Sequence, residues 1–220
     1  MFPLRDSTPN KNFPYMTVCL IALNLLIFFF ELSLDSRSLN LLLEDFGLTP
    51  ALISDRSYSI VAFVPLITSM FLHGSWMHVI GNMWSLWLFG DNLEDNMGPW
   101  RFLAFYLLCG LVAGLTHYLI NPQSTVPVVG ASGAIAGVMG AYFLMFRDAR
   151  VLTYIPPIFI FPLPAWIFLG FWALSQVWYV VSGSGQSVAF WAHIGGFIVG
   201  MIIYRRFLRS DLASEPESPF

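Results

Sequence analysis

The sequence predicts an all-α fold, a polytopic membrane bundle of six transmembrane helices. Three observations point there. Of 220 residues, 57% are hydrophobic and 10% charged, whereas a soluble domain carries roughly 25% charged residues. Mean hydropathy is +0.69. Apolar stretches also recur along the chain at lengths near the roughly 20 residues that a bilayer requires. The net charge of −3 speaks against a nucleic-acid partner. The two cysteines, Cys19 and Cys109, sit inside apolar runs and read as small core residues, not as disulfide or metal ligands.

Each element follows in order. Residues 1–13 read as a cytoplasmic N-terminal segment with no small-residue cleavage site, so the first apolar run, Tyr15 to Leu34, is a retained span. The second runs from His78 to Gly90, extended upstream by "IVAFVPLITSMFLHGSWM". The third is Trp100 to Ile120 and the fourth Ser132 to Phe146. The fifth follows the cluster Pro156, Pro157, Pro162, Pro164 and reaches Val181; the sixth is Val188 to Leu208. The second and fourth are short and start at polar or glycine-rich sequence. Irregular backbone at membrane depth is tolerated only inside protein or against water, so both are expected to begin at a cavity. Residues 14–208 thus form the membrane domain, and the acidic, proline-containing residues 209–220 read as a disordered cytoplasmic tail.

Six spans put both termini on one side, and the basic residues choose it. With cytoplasmic termini, Arg5, Lys11, Arg101, Arg147, Arg150, Arg205, Arg206 and Arg209 lie inside, and only Arg37 and Arg56 outside. The first external segment mixes apolar with charged residues and suggests a loop lying in the outer interface.

Ionisable groups inside spans are functional candidates, and four polar residues share one depth. Ser132 precedes the inner-surface Arg147 by 15 residues, roughly 22 Å of helix. His193 precedes Arg205 by 12 residues, roughly 18 Å, and His78 precedes Asp91 by 13, roughly 20 Å. Asn82 is one turn deeper than His78 on the same face. Small residues on the fourth span (Ser132, Gly133, Ala136, Gly137, Gly140) and the sixth (Gly196, Gly200) let two backbones come close, which would bring Ser132 to His193. Serine beside histidine is the basic activated-nucleophile pair. A triad carboxylate is missing at that depth: Asp91, Glu94, Asp95 and Asp148 lie at inner ends, and Glu31 is in the first span near its outer end. The reading is therefore a Ser132–His193 dyad, with His78, Asn82 and the Ser132 backbone N–H as oxyanion donors. His73 reads as a structural hydrogen-bonding group beside the cavity, His117 as interfacial, Asn24 as glue between helices, and Glu94 as a brace at an inner helix end.

These residues resemble the rhomboid family of intramembrane serine proteases. "GASG" at 130–133 resembles its G-x-S-G motif, "AHIGGFIVG" at 192–200 its A-H-x-x-G-x-x-x-G motif, and "HGSWMHVIGN" at 73–82 its second-helix His and Asn signature. The likeness covers about residues 14–208, read as a six-helix rhomboid-like protease domain of the bacterial type, in an inner membrane. It implies Ser132 as nucleophile, His193 as general base and then acid, and His78 and Asn82 as oxyanion donors. His73, Gly130, Gly133, Gly196 and Gly200 are the supporting residues. It also implies single-span or other transmembrane protein substrates cut near the outer face, contact with membrane lipid, and no cofactor or metal. Two places depart from the pattern. Val64-Pro65 stands where many members carry Trp-Arg, and Ala136 stands where some have a Tyr stacking on the histidine, so His193 must be steadied otherwise. The alternative is a catalytically inactive rhomboid-like binder or chaperone of membrane segments. Such a protein has no reason to keep Ser132, His193, His78 and Asn82 together.

Overall fold

The apolar runs fold as helices at the expected places in the computed structural model, which describes residues 1–55, 59–183 and 188–210. Helix α1 (Tyr15–Ser33) starts after Pro14. Its first N–H groups, which have no partner inside the helix, are met by Glu94: the carboxylate accepts from the N–H of Met16 (2.8 Å) and Thr17 (2.7 Å) and from the Thr17 hydroxyl (2.8 Å). Glu94 thus braces the start of α1, across from its own helix.

The external segment folds in short pieces. Helix α2 (Ser36–Phe46) is capped by Asp35, whose side chain accepts from Ser38 N–H. That bond holds the Asp35 carboxyl below its usual range. Helix α3 (Pro50–Asp55), a 3-10 turn (Ile60–Phe63), helix α4 (Pro65–Thr68) and a second 3-10 turn (Ser69–Phe71) follow. Leu48 and Val128 exchange backbone bonds of 2.9 Å, which ties this layer to the loop before the fourth span.

Helix α5 (Trp76–Met97) begins where Ser75 accepts from His78 N–H, and stands at 82° to the pieces before it. Helix α6 (Pro99–Ile120) starts with proline in its first turn, where no N–H is needed. Helices α7 (Ser132–Met145) and α9 (Phe190–Ile203) have 14 residues each, about 21 Å at 1.5 Å per residue, less than the roughly 30 Å hydrocarbon core. Helix α8 (Ala165–Ser182) lies between them in the chain. Among the described residues, three helices (α1, α6, α8) are individually long and apolar enough to cross a membrane, and the bent unit ending in α5 makes a fourth if counted as one span. Large apolar side chains such as Leu26, Phe29, Leu119, Leu174, Trp178 and Ile202 coat the outside. Such a surface is stable against lipid and not against water. The chain is an integral membrane helix bundle.

At the centre stands α7, buried from Ala134 through Tyr142 and packed by α5, α6, α8 and α9. Its approach to α9 is backbone to backbone. A methyl placed on Gly196 would lie 2.1 Å from the Gly133 carbonyl oxygen, and one on Gly200 would lie 2.0 Å from that of Gly137. The small faces expected on these two spans do meet.

One element was not expected in an all-α chain. Strands β1 (Phe2–Asp6), β2 (Arg150–Ile155) and β3 (Phe159–Pro164) form an antiparallel sheet in that order. The segment "RVLTYI" to "FIFPLP" is rich in β-branched and aromatic residues, but its prolines disguise it as a linker. Pro162 and Pro164 are tolerated because β3 is an edge strand. The N-terminal segment is therefore docked on the bundle. Trp84 Nε1–H donates to the Pro3 carbonyl (2.6 Å), and the Tyr142 hydroxyl donates to Asp6 Oδ2 (2.5 Å), docking β1 on the bundle. Of the expected tail 209–220, residues 211–220 lie outside the described residues, as does Arg56.

Candidate active site

Ser132 is the first residue of α7, and the chain reaches it through Gly130. Gly130 has φ +119°, a conformation that costs glycine little. A methyl there would also lie 2.5 Å from His78 Nε2, so the imidazole rests directly on the loop leading into Ser132. Gly130 N–H donates to the Ser69 carbonyl at 2.8 Å. As an opening residue of the helix, Ser132 has a backbone N–H without a partner in the helix, at the positive end of the α7 dipole.

His193 lies in the first turn of α9, buried, with Nε2 2.7 Å from Ser132 Oγ. The close α7–α9 packing sets that distance, because Gly133 and Gly196 remove the side chains that would part the helices. The hydroxyl can pass its proton to the imidazole, which is what a nucleophile and its base require. His78 and Asn82, one turn apart on α5, face the same cavity of about 540 Å³, which Ser132 and His193 also line. Asn82 Nδ2 donates to His73 Nε2 at 2.9 Å, which leaves its second N–H. His73 is buried, and its backbone N–H donates to both carboxylate oxygens of Glu31 at 3.2 Å. Glu31 therefore anchors the turn before α5 and does not touch His193. The residues predicted for the site thus belong to one neighbourhood: Ser132, His193, His78, Asn82, Gly130 and Gly133 line the cavity, and His73, Gly196 and Gly200 pack behind it.

Four side chains at the site were not foreseen: Glu31 at His73, two on α8, and Phe190 at the start of α9. Trp172 lies against the His193 ring (centroids 5.8 Å apart, planes at 36°), while Phe190 meets it edge-on at 6.2 Å. Gln176, buried, has Oε1 2.8 Å from His193 Nδ1. These are what steady the imidazole where Ala136 cannot. The same rule that found the others applies to Gln176, a polar amide within an apolar span. Two other polar residues lie within the helices. Asn24 bonds its own helix at Leu20 O (2.7 Å), and His117, in the last turn of α6, is buried in the protein. A larger recess of about 690 Å³ lies at the opposite end, lined by Glu94, Arg101 and Arg209 among others, and holds none of the site residues. Among the described residues, no three His, Cys, Asp or Glu side chains are grouped so as to hold a metal ion.

The Rhomboid domain family matches residues 62–210. The mitochondrial Rhomboid protein 1 of Saccharomyces cerevisiae is 30% identical over 145 residues, which are 63% of this chain and 40% of that protein. The putative rhomboid protease YdcA of Bacillus subtilis is 40% identical over 88 residues, 39% of this chain and 44% of that one. The mitochondrial RHOMBOID-like protein 12 of Arabidopsis thaliana is 30% identical over 158 residues, 64% and 45% of the two chains. The match spans less than half the length of each of these relatives.

Proposed function

The chain belongs to the rhomboid family, and from that premise we propose that it is a serine endopeptidase that cuts transmembrane segments of other membrane proteins. The observation that carries this reading is the 2.7 Å separation of Ser132 Oγ and His193 Nε2 at a cavity sunk into the bundle. Ser132 Oγ attacks the scissile carbonyl while His193 Nε2 accepts its proton. The tetrahedral oxyanion takes hydrogen bonds from Ser132 N–H, the free N–H of Asn82 and His78. His193 then returns the proton to the leaving amine, and water deacylates the serine by the same steps in reverse. No cofactor enters this scheme.

The substrate class follows from where the cavity lies. Arg147 and Arg150 follow the far end of α7, and Arg205 and Arg206 the far end of α9. With that basic end in the cytoplasm, as are both termini, Ser132 opens toward the outer face of the membrane, a bacterial inner membrane on this reading. A peptide carbonyl inside an intact helix is hydrogen-bonded and shielded, so the substrate span must unwind near its outer end before it reaches the serine.

The test is purified protein in liposomes with a panel of single-span proteins, EDTA present throughout, wild type beside Ser132→Ala. Cleavage and fluorophosphonate labelling should both vanish in the variant. Cleavage by Ser132→Ala within tenfold of wild type overturns the assignment, and capture of segments without cutting by the wild type supports the inactive binder instead.

A further inference from the structure

The polar contacts of α8 determine more than where the imidazole sits. Gln176 presents its amide nitrogen to two acceptors: Nε2 donates to the Trp172 carbonyl at 3.1 Å and to Ser175 Oγ at 2.9 Å. Ser175 Oγ spends its own proton on the same Trp172 carbonyl at 2.6 Å, so toward Gln176 it can only accept. A carbonyl oxygen has no proton to give. Rotating the amide by half a turn would set Gln176 Oε1 against the Trp172 oxygen, acceptor to acceptor, inside a buried site. The amide therefore has one favourable orientation, with Oε1 toward His193 Nδ1 at 2.8 Å.

That orientation decides where the imidazole carries its proton. Opposite a carbonyl oxygen, Nδ1 must be the N–H. In the neutral ring the other nitrogen is then bare. The bare nitrogen is Nε2, which faces Ser132 Oγ at 2.7 Å. In the other tautomer Nδ1 would point a lone pair at Oε1, and Nε2–H would face the serine oxygen, where it cannot accept a proton.

We infer that Gln176 is a positioning residue that holds His193 in the Nδ1–H tautomer and so keeps Nε2 free to take the Ser132 proton. The inference rests on the serine protease reading and adds a third member to the pair. Gln176 occupies the place that a carboxylate fills in a triad. A neutral amide suits this depth, because an ionised carboxylate is costly to bury in so apolar a setting. Helix α8 supplies both restraints from one face, since Trp172 and Gln176 are four residues apart. Trp172 lies against the ring, and Gln176 holds its edge.

Two variants and one spectrum test this. Gln176→Met keeps the length of the side chain and removes the acceptor; Gln176→Glu keeps an acceptor oxygen in place. Leaving a buried N–H unpaired should lower kcat and the rate of fluorophosphonate labelling about five- to a hundredfold in Gln176→Met, with KM within about twofold, because Gln176 lies behind His193 and does not line the cavity. Gln176→Glu should recover most of the loss. ¹⁵N spectra of imidazole-labelled protein, with His193 assigned by its disappearance in His193→Ala, should show the Nδ1–H form in wild type and Gln176→Glu. Gln176→Met should show a mixture. Wild-type kcat in Gln176→Met, or an Nε2–H signature in the wild type, overturns the inference. If Gln176→Met does not fold, the wild-type spectrum and Gln176→Glu decide. The spectrum reads the tautomer whether or not any substrate is cut. A protein that shows Nδ1–H but never labels at Ser132 refutes the protease reading and not the tautomer.

Discussion

Gly200→Ala asks whether the close packing of α7 and α9 sets the reactive geometry. The added methyl would lie 2.0 Å from the Gly137 carbonyl oxygen, 2.7 Å from its carbon and 2.7 Å from its Cα. Ordinary contact begins at 3.4 Å, so the helices must part by about 1.4 Å at this point. The obstacle is backbone in the central helix, which has no rotamer to change. Gly200 lies seven residues from His193, about 10 Å along α9. If α9 moves as a rigid rod, the 2.7 Å between Ser132 Oγ and His193 Nε2 opens to about 4 Å, and if packing absorbs half of the shift, to about 3.4 Å. Either exceeds the reach of a proton-transferring hydrogen bond, and a misplacement of that size can cost about 10²-fold in rate. The overpacking itself should destabilise the fold by about 1–3 kcal/mol. Initial rates on a single-span substrate in liposomes, fluorophosphonate labelling and thermal unfolding followed by tryptophan fluorescence measure all three effects. Gly170→Ala is the control: its methyl would find only Phe143 Cε2, at 3.9 Å, and alanine gains up to about 1 kcal/mol in helix propensity. Wild-type rate and wild-type unfolding in Gly200→Ala, or equal damage in both variants, would refute the reasoning.

Three further outcomes are expected. Asn82→Ala and His78→Ala should each lower kcat by about 10² to 10³ while KM changes little, as removal of an oxyanion donor does; full kcat in both, measured by steady-state kinetics, would leave them as packing groups. Glu94→Ala strips acceptors from two N–H groups and one hydroxyl at the start of α1, and should cost about 2–4 kcal/mol by thermal unfolding, with kcat of the folded protein unchanged. Replacing Gly or Pro in the outer third of a cleaved substrate span by Leu should slow its cleavage, because it strengthens the helix that must open; a cut mapped by mass spectrometry to the cytoplasmic end would contradict the orientation drawn from the arginines.

The helices were legible because membrane spans are written in composition. Tyr15–Ser33 and Pro99–Ile120 are long apolar runs, and the start of α6 is marked by Gly98-Pro99. The sheet was not legible. Its pairing joins residue 2 to residue 154, and no local pattern reports a partner so distant. The strand signal of "FIFPLP" was also masked by prolines that only an edge position permits. The docking of residues 2–6 on the bundle escaped for the same reason, since it comes from Trp84, Tyr142 and β2.

At the site, the pattern of small residues was the legible signal. Ser132 and His193 are fixed by rows of small residues whose spacing is visible, and the rows predict contact because glycine leaves backbone as the only thing to touch. Gln176 escaped for a physical reason. Its value depends on which end of the amide faces which neighbour, and that is settled by Trp172 O and Ser175 Oγ, which are part of α8 itself and carry no signal in composition. The site lies where α8 passes α9, and the one carboxamide on α8 is an acceptor for a ring nitrogen that brings no charge into the bilayer. Glu31, a carboxylate beside the site, accepts from the His73 backbone N–H, and the partner of His193 Nδ1 is Gln176. The triad logic requires an acceptor on Nδ1 and not an anion, and in a membrane the neutral acceptor is the cheaper way to supply it.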